Sequence, residues 1–426
     1  MEEYGFLNIV YDNWNYETHE PYPNLEKNFG KNRFRTVKGF FMFYNITNKM
    51  RQCHIEEVRL NPDENYYYFI NSINDLYNVI SEYQKLVLPE TVEKTFVECK
   101  NFNLVYLNEH EFEVEDCLIL LEEIIQKFNY DPERIYMVNN NSKLNYYKQK
   151  HNLSFNVHSL DFLMQINSKN LCDYNPNIIE DKEGFFLNHN RSVNNMKSHR
   201  YCLLVYMKKH GILDLGDYDW SLLMGSNAKD MVINGDFSYF YKNLLTDEDL
   251  VELVEERKFI ESIDIKKSKY ELDKHWFDDV NNHNGIDWGK VFELKTYENA
   301  YINITTESCY YQNEIHITDK SIKPLYFYQI PLFLASPGHV YYLRERFGFD
   351  LFDDLIDHSY DNETDHRKRF FMVLEQILWL NNNQNHVKEY YRKNKNRLFK
   401  NRLIASQIKD SKNDINFFFG LINKNK

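Results

Sequence analysis

Glycine and proline are scarce. Thirteen Gly and nine Pro occur in 426 residues, about 5% where roughly 12% is usual. No two glycines stand in a G-x-G arrangement and no G-x-x-x-x-G-K-[ST] occurs. The dinucleotide fingerprint and the P-loop are therefore excluded, and a bound nucleotide has to be held by another route. G-x-S-x-G and H-E-x-x-H are also missing, which removes the commonest hydrolase elbow and the zincin helix. The six cysteines (Cys53, Cys99, Cys117, Cys172, Cys202, Cys309) are scattered and form no C-x-x-C. Reduced core thiols are expected rather than a zinc site or a disulfide framework.

Alanine is almost absent, with four residues against 52 Asn, 33 Tyr and 31 Phe. Residues with AT-rich codons are inflated, so nucleotide bias accounts for the skew and points to an AT-rich, viral source. The aromatic surplus is then no evidence of a stacking surface, and sequons such as Asn303-Ile-Thr are accidents of Asn abundance. Positive charge is short as well, 51 − 64 = −13, so the chain as a whole is a poor non-specific binder of nucleic acid or anionic membrane, although a local basic face can still do either job. Long apolar runs are lacking: stretches such as Cys117 to Leu121 are far short of a membrane span. The start, Met1-Glu-Glu-Tyr, is acidic rather than basic. The expectation is a cytosolic protein, in the host cytoplasm if the gene is viral. Hydrophobics at 43% and charges at 27% suit a soluble globular chain of this length with two cores.

The pattern predicts an α/β fold of two Rossmann-like α/β domains facing a cleft: an acceptor-side domain over 1–178, a donor domain over 179–380 and a basic helical tail over 381–426. Strand-like runs at Phe6 to Tyr11, Gly39 to Tyr44 and Tyr66 to Ile70 precede a helix over Ile73 to Leu86. The rhythm then becomes regular: strand Asn103 to Leu107, helix Val114 to Phe128, strand Arg134 to Val138, and Asn139-Asn-Asn-Ser142 placed to cap the next helix. This is the spacing of parallel βαβ units. Asn167 to Lys182 reads as a linker. The rhythm restarts with strand Gly184 to Leu187, a polar loop Asn188 to Lys197 and helix Ser198 to His210. Asp247 to Phe259 reads as a helix capped by Thr246, and Asn281 to Gly285 as a turn cluster. Ligands in such folds sit at the carboxyl ends of strands.

The most informative stretch is Tyr301 to Arg369. Strand Asn303 to Glu307 ends on a carboxylate. Ile317-Thr-Asp-Lys320-Ser-Ile-Lys323-Pro follows, with two lysines three apart at a helix start. Strand Ile330 to Leu334, the turn Ser336-Pro-Gly338 and helix Val340 to Phe347 lead through Gly348-Phe-Asp-Leu-Phe352 to Asp357-His-Ser-Tyr-Asp361.

This order resembles a group of glycosyltransferases of phages, giant viruses and bacteria related to α-1,3-fucosyltransferases. Their consensus runs T-E, [TS]-E-K-[TS]-x-K-P, a strand with P-F, G-F-x-T-F and D-E-S-Y-D. Asn190-Arg191 and His199-Arg200 resemble the N-R…H-R segment that opens the group's donor domain. The resemblance covers about residues 185 to 380 and implies a GT-B fold and a nucleotide-sugar donor. Two departures stand out: Asp319 replaces the consensus Glu before Lys320, one methylene shorter, and His358 replaces the Glu of D-E-S-Y-D. Fucose is therefore not to be assumed.

The chemistry fits these residue types. Loss of a nucleoside diphosphate builds charge on the β-phosphate, which without a metal has to meet Arg, Lys and helix N-termini. Arg191, Arg200, Lys320 and Lys323 can supply it, and Glu307, Thr318 and Asp319 lie where sugar or ribose hydroxyls would bind. The bland alternatives are a solvated helix face for the lysines and a surface or interface pair for the arginines. As the resemblance suggests, Tyr360 packs near the donor. An inverting transfer needs a general base. Glu109, His110 and Glu111, after the strand at 103 to 107, are candidates, a solvated loop being the alternative and Asp12 a rival. Asp357 to His366 holds metal-ligand types at a spacing that matches no recognised site, so a hydrogen-bonded loop capping the helix from about Arg367 is expected, and no metal or cofactor beyond the nucleotide-sugar.

Lys388 to Arg402 carries seven basic residues and one acid. Interleaved Tyr390, Tyr391 and Phe399 make DNA contact one reading; a basic helix packed on the acidic body is the other. The leading expectation is a metal-independent, inverting glycosyltransferase acting on a glycan hydroxyl. A transferase acting on hydroxylated viral DNA bases and an inactive glycan-binding viral protein are the rivals.

Overall fold

The computed structural model describes residues 7–11, 14–15, 20–21, 50–71, 88, 90–108, 114–172, 174–193, 197–214, 218–224, 244–262 and 297–423. The chain divides into two compact units, Met1–Phe162 with Ser411–Lys426, and Leu163–His283 with Asp287–Asp410. The protein is of mixed α/β class, with one parallel sheet in each unit.

The first sheet contains β1 (Leu7–Tyr11), β4 (Met50–His54), β5 (Tyr66–Asn71), β6 (Phe102–Asn108), β7 (Ile135–Asn139) and β8 (Asn156–Ser159) in the order β4-β1-β5-β6-β7-β8. Two short strands, β2 (Trp14–Asn15) and β3 (Glu20–Pro21), pair antiparallel apart from it. The second sheet contains β9 (Gly184–Val193), β10 (Tyr218–Met224), β11 (Ala300–Thr306) and β12 (Ile330–Leu334) in the order β10-β9-β11-β12. Every neighbour in both larger sheets is parallel. In each, the first strand of the unit has the next sheet strand on one side and the following one on the other. The order thus reverses beside β1 and beside β9, which makes β1/β5 and β9/β11 the switch points at which such sheets bind ligands.

Strands buried on both faces read as near-continuous apolar runs, and β7 and β12 are buried throughout. Helices α1 (Glu90–Glu98), α2 (Glu115–Lys127) and α3 (Leu144–Lys150) follow β5, β6 and β7 along the chain. The apolar stripe of α2, with Cys117, Leu118, Leu121, Ile124 and Ile125, joins Leu104 and Met137 of the strands in one core. The second unit holds α4 (Phe162–Cys172), α5 (Ser198–Lys209), α6 (Asp247–Glu252), α7 (Val254–Ser262), α8 (Asp319–Tyr326), α9 (His339–Phe347), α10 (His366–Asn382), α11 (Gln384–Lys393) and α12 (Lys395–Gln407). The last helix, α13 (Asn413–Asn423), belongs to the first unit. Its Asp414 is fully buried and accepts from the Asp161 N–H at 3.1 Å, and its Phe417 stacks on His158 at 4.1 Å.

Several local expectations are corrected. Residues 167–172 are not linker: α4 runs to Cys172, and its buried Ser168 donates to the Ala405 carbonyl at 2.6 Å. The polar loop expected from Asn188 is strand as far as Val193, because Asn188 and Asn190 find partners inside the sheet. The Asn139 to Ser142 segment does not cap α3. Asn139 and Asn141 instead accept from the backbone two residues on, at 2.6 and 2.8 Å, a habit of turn asparagines. Thr246 does cap α6 in a reciprocal box with Asp249, but the helix breaks at Leu253, so 247–259 is two helices. The strand expected at Gly39 to Tyr44, the helix at Ile73 to Leu86 and the turn at Asn281 to Gly285 lie outside the described residues.

Candidate functional site

The second unit gathers its polar side chains at the carboxyl end of β11, beside the β9/β11 switch point. Asn188 donates to the Ile304 carbonyl at 2.5 Å, Asn190 donates to Asn188 Oδ1 at 2.8 Å, and the Thr306 hydroxyl donates to Asn190 Oδ1. From the first turn of α5, Arg200 reaches the Thr306 carbonyl at 3.2 Å and Ser308 Oγ at 3.3 Å, while His199 Nε2 lies 2.9 Å from the Glu307 carbonyl. His199 and Arg200 are both buried. They are buried rather than a surface pair, and through these bonds they clamp the end of β11. Arg191 lies on β9, with its side chain outside the described residues.

Glu307 ties β11 to the first turn of α8. Its Oε1 accepts from the Thr318 N–H at 3.2 Å and from Ser321 Oγ at 2.5 Å, and its Oε2 accepts from Thr318 Oγ1 at 2.8 Å. The side chain is fully buried, and Lys320 Nζ stands 3.9 Å away. Thr318 caps α8, as its Oγ1 also accepts from the Lys320 N–H at 3.3 Å. The two lysines do not share an exposed face. Lys323 is 1% exposed and paired with Asp319, whereas Lys320 is 21% exposed and donates to Thr318 Oγ1 at 3.2 Å. Burial works against ionisation of Asp319, but Lys323 and Lys320 more than offset it and hold the carboxyl down at about 2. Burial lowers Lys323 as well. The direction of Asp319 governs the pair, because its carboxylate faces two cations while Lys323 has one anion. Lys320 is thus the one cation of this motif that reaches solvent.

Around this motif stand further residues, of which His339 and Arg369 were given no part by the sequence pattern. Asp361 accepts from the Val340 and Tyr341 N–H groups at 3.0 and 2.9 Å, so a carboxylate already occupies the positive end of α9. Ser321 Oγ lies 2.9 Å from His339 Nε2. Arg369, fully buried, donates to the carbonyls of Ala335, Glu363 and Tyr310 at 3.1, 2.7 and 2.5 Å and so joins three loops. Tyr360 is buried against β12, its oxygen 3.4 Å from the Phe333 nitrogen and 2.9 Å from His358 Nδ1, and burial pushes its hydroxyl well above the ordinary value. Except for the His358–Tyr360 contact inside one 3-10 turn, spacing exposes none of these partnerships, since they join residues on different elements or loops.

Glu109, His110, Glu111 and Asp12 lie outside the described residues. Asp357 caps the 3-10 turn His358–Asn362, and Asp365 caps α10 by accepting from the Lys368 N–H at 2.7 Å. Among the described residues no group of three or more His, Cys, Asp or Glu is placed to hold a metal ion, and no helix is long and apolar enough to cross a membrane. The basic run meets acids of its own unit. Arg392 pairs with Asp181 at 2.5 Å, Lys393 with Glu389 at 2.6 Å, Lys395 with Glu180, and Arg397 with Asp350 at 2.6 Å and Asp354 at 2.9 Å. Of its aromatics, Tyr391 is buried and Phe399 is 48% exposed.

No family model matches the sequence and no curated protein is detectably similar to it. Among solved structures, an alpha,alpha-trehalose-phosphate synthase (UDP-forming) from Burkholderia vietnamiensis is similar at a TM-score of 0.38 and 8% identity, covering 91% of this chain and 85% of that one. An alpha,alpha-trehalose 6-phosphate synthase from Burkholderia multivorans is similar at a TM-score of 0.35 and 10% identity, covering 91% and 81%. A DNA-modifying beta-glucosyltransferase is similar at a TM-score of 0.33 and 10% identity, covering 98% and 100%. At these scores none of them gives any residue of this chain a role.

Proposed function

We propose that the protein is a metal-independent, inverting glycosyltransferase of GT-B class that moves a sugar from a nucleotide donor to a glycan hydroxyl. The donor would bind at the carboxyl edge of the second sheet. One observation carries the reading: the Thr318 to Lys323 segment, whose order resembles the fucosyltransferase-related group, forms the first turn of α8 beside a switch point and leaves a single cation, Lys320, at the solvent-facing rim. A departing nucleoside diphosphate needs such a cation in a partly desolvated place. Arg191, on the neighbouring β9, is the second proposed phosphate ligand. Glu307 and Lys323 then act by shaping the turn, since their charged atoms are taken up within the chain. The general base is assigned to Glu109, His110 or Glu111, in the segment that follows β6. A glycan acceptor is favoured over DNA because four of the seven basic side chains of the Lys388 to Arg402 run are paired with acids of the same unit. The donor sugar is left open between hexose and fucose.

A panel of UDP-, GDP- and TDP-sugars tests the reading. At least one should be hydrolysed slowly without acceptor and should raise the melting temperature. If none is turned over and none stabilises the protein, the proposal fails.

A further inference from the structure

The strap that leads into β9 buries a lysine at the surface of the second unit. Lys182 is 7% exposed, while Asp181 and Glu183 on either side of it are exposed. Its Nζ is buried and has no hydrogen-bond partner among the described residues. It lies 5.0 Å from the centroid of the Tyr391 ring on α11. Tyr391 is itself fully buried and meets Tyr301 of β11 edge-on at 5.1 Å. The amine therefore faces aromatic rings rather than a bonded anion.

The strap is held down on both sides of this amine. The Lys182 N–H donates to the Tyr301 hydroxyl oxygen at 3.0 Å, and that hydroxyl donates to the Glu180 carbonyl at 3.0 Å. Asp181 pairs with Arg392 of α11 at 2.5 Å, and Glu180 pairs with Lys395 of α12. Both ion pairs stand at the surface, where such pairs contribute little. Glu298, just ahead of β11, is buried and accepts from the Asn177 N–H at 2.8 Å. It attracts the charged amine without bonding to it. Lys388 of α11 directs its Nζ to other rings of the same cluster, Phe185 at 5.9 Å and Tyr301 at 6.0 Å.

An ammonium group with no acceptor is strongly disfavoured away from water. The ring face offsets part of that loss and Glu298 another part, yet burial dominates and brings Lys182 down to about 7. Burial also pushes the Tyr391 hydroxyl up, so it stays uncharged beside the amine. In water the amine has its ordinary value of about 10.4.

We propose that Lys182 is a pH-sensitive latch: uncharged, it lets the 180–182 strap lie closed on α11, and on taking up a proton it favours the lifted strap. The proton needs no channel, because lifting the short stretch between Asp181 and Glu183 brings the amine into water. The latch lies at the amino ends of β9 and β11 and stands apart from the glycosyltransferase reading.

The direction follows from proton counting. Between pH 7 and about pH 10 the lifted strap binds more protons than the closed one, so lifting becomes about tenfold easier for each unit by which pH falls. Below pH 7 the closed form takes up the proton as well, and the effect levels off at on the order of a thousandfold.

Hydrogen exchange of the full chain, read by mass spectrometry and divided by the intrinsic rate at each pH, follows the lifting. From pH 7 to pH 9 the strap and residues 384–393 should gain about tenfold in protection per pH unit relative to Lys182→Met, whose apolar side chain has no charge to desolvate. Titration of other groups is common to both proteins and cancels. Protection that changes in parallel in the two proteins would overturn the proposal. If Lys182→Met folds poorly, carbon-13 spectra of the unaltered protein decide the matter. The Lys182 Cε resonance should then titrate near pH 7, and a midpoint at the ordinary value of about 10.4 would overturn the latch.

Discussion

Lys320 and Lys323 are three residues apart, and local spacing treats them alike. The structure gives them opposite work. Lys320, partly exposed over a buried carboxylate, is placed to meet a ligand, whereas Lys323 is buried and neutralises Asp319. Lys320→Ala should therefore weaken nucleotide binding tenfold or more with little change in melting temperature. Lys323→Met should do the reverse, since breaking a buried pair costs about 3–5 kcal/mol, here at the lower end because Asp319 is a quarter exposed and Lys320 is still near. The pH dependence follows from the sign of the Asp319 shift. Its folded value, about 2, lies below the ordinary ~3.9. The stabilisation is complete above that ordinary value and fades as pH falls through about 2. Melting curves should show the gap between Lys323→Met and the unaltered protein closing between pH 4 and pH 2. The identities of these residues were legible in the sequence because the motif is contiguous. Their separate roles were not, because a contiguous string carries no information about which side chain the rest of the chain covers.

Elements were read well where apolar periodicity was strong and poorly where asparagine was dense. Strands β6, β7, β11 and β12 and helices α2, α5 and α9 fall within one to three residues of their sequence expectation. The second half of β9 and the second half of α4 were read as loop and linker, because asparagine favours turns when nothing else intervenes. Here Asn188 and Asn190 complete a buried chain of hydrogen bonds with Thr306. A buried polar group that is fully partnered is compatible with a strand, and no local rule reveals partners more than a hundred residues away. Helix α9 shows the same dependence. It lies between Gly338 and Gly348, both in the left-handed region at φ 83° and 76°, and its first turn is satisfied from outside by Asp361. Asp361→Ala should cost about 0.5–2 kcal/mol, the usual loss for a helix cap, read as a lower midpoint in urea. An unchanged midpoint would mean that the carboxylate contributes nothing to α9.

At the scale of the whole molecule, the chain closes on itself by sending its last helix back to the unit in which it began. Phe418, Leu421 and Ile422 of α13 are 1–2% exposed, and Tyr67 of β5 donates to the Leu421 carbonyl at 3.1 Å. A chain ending at Asp410 should therefore lose stability in the first unit, because removing one buried Phe already costs about 3–5 kcal/mol. Calorimetry should show a lowered first-unit transition, while nucleotide affinity of the second unit is retained. Equal loss in both transitions would contradict this division.

The amino-acid sequence by itself determined the α/β alternation, the exclusion of glycine-rich phosphate loops and the residues of the Thr306 to Asp361 motif, because each is written in short-range spacing. Tertiary structure alone decided which strands neighbour one another, that both sheets reverse beside their first strand, that four of the seven basic side chains of the Lys388 to Arg402 run pair with acids of their own unit, and that Glu307 is buried where it ties β11 to α8. Parallel pairing and burial join residues far apart along the chain, and the free energy of those contacts depends on what surrounds each group rather than on its neighbours in sequence.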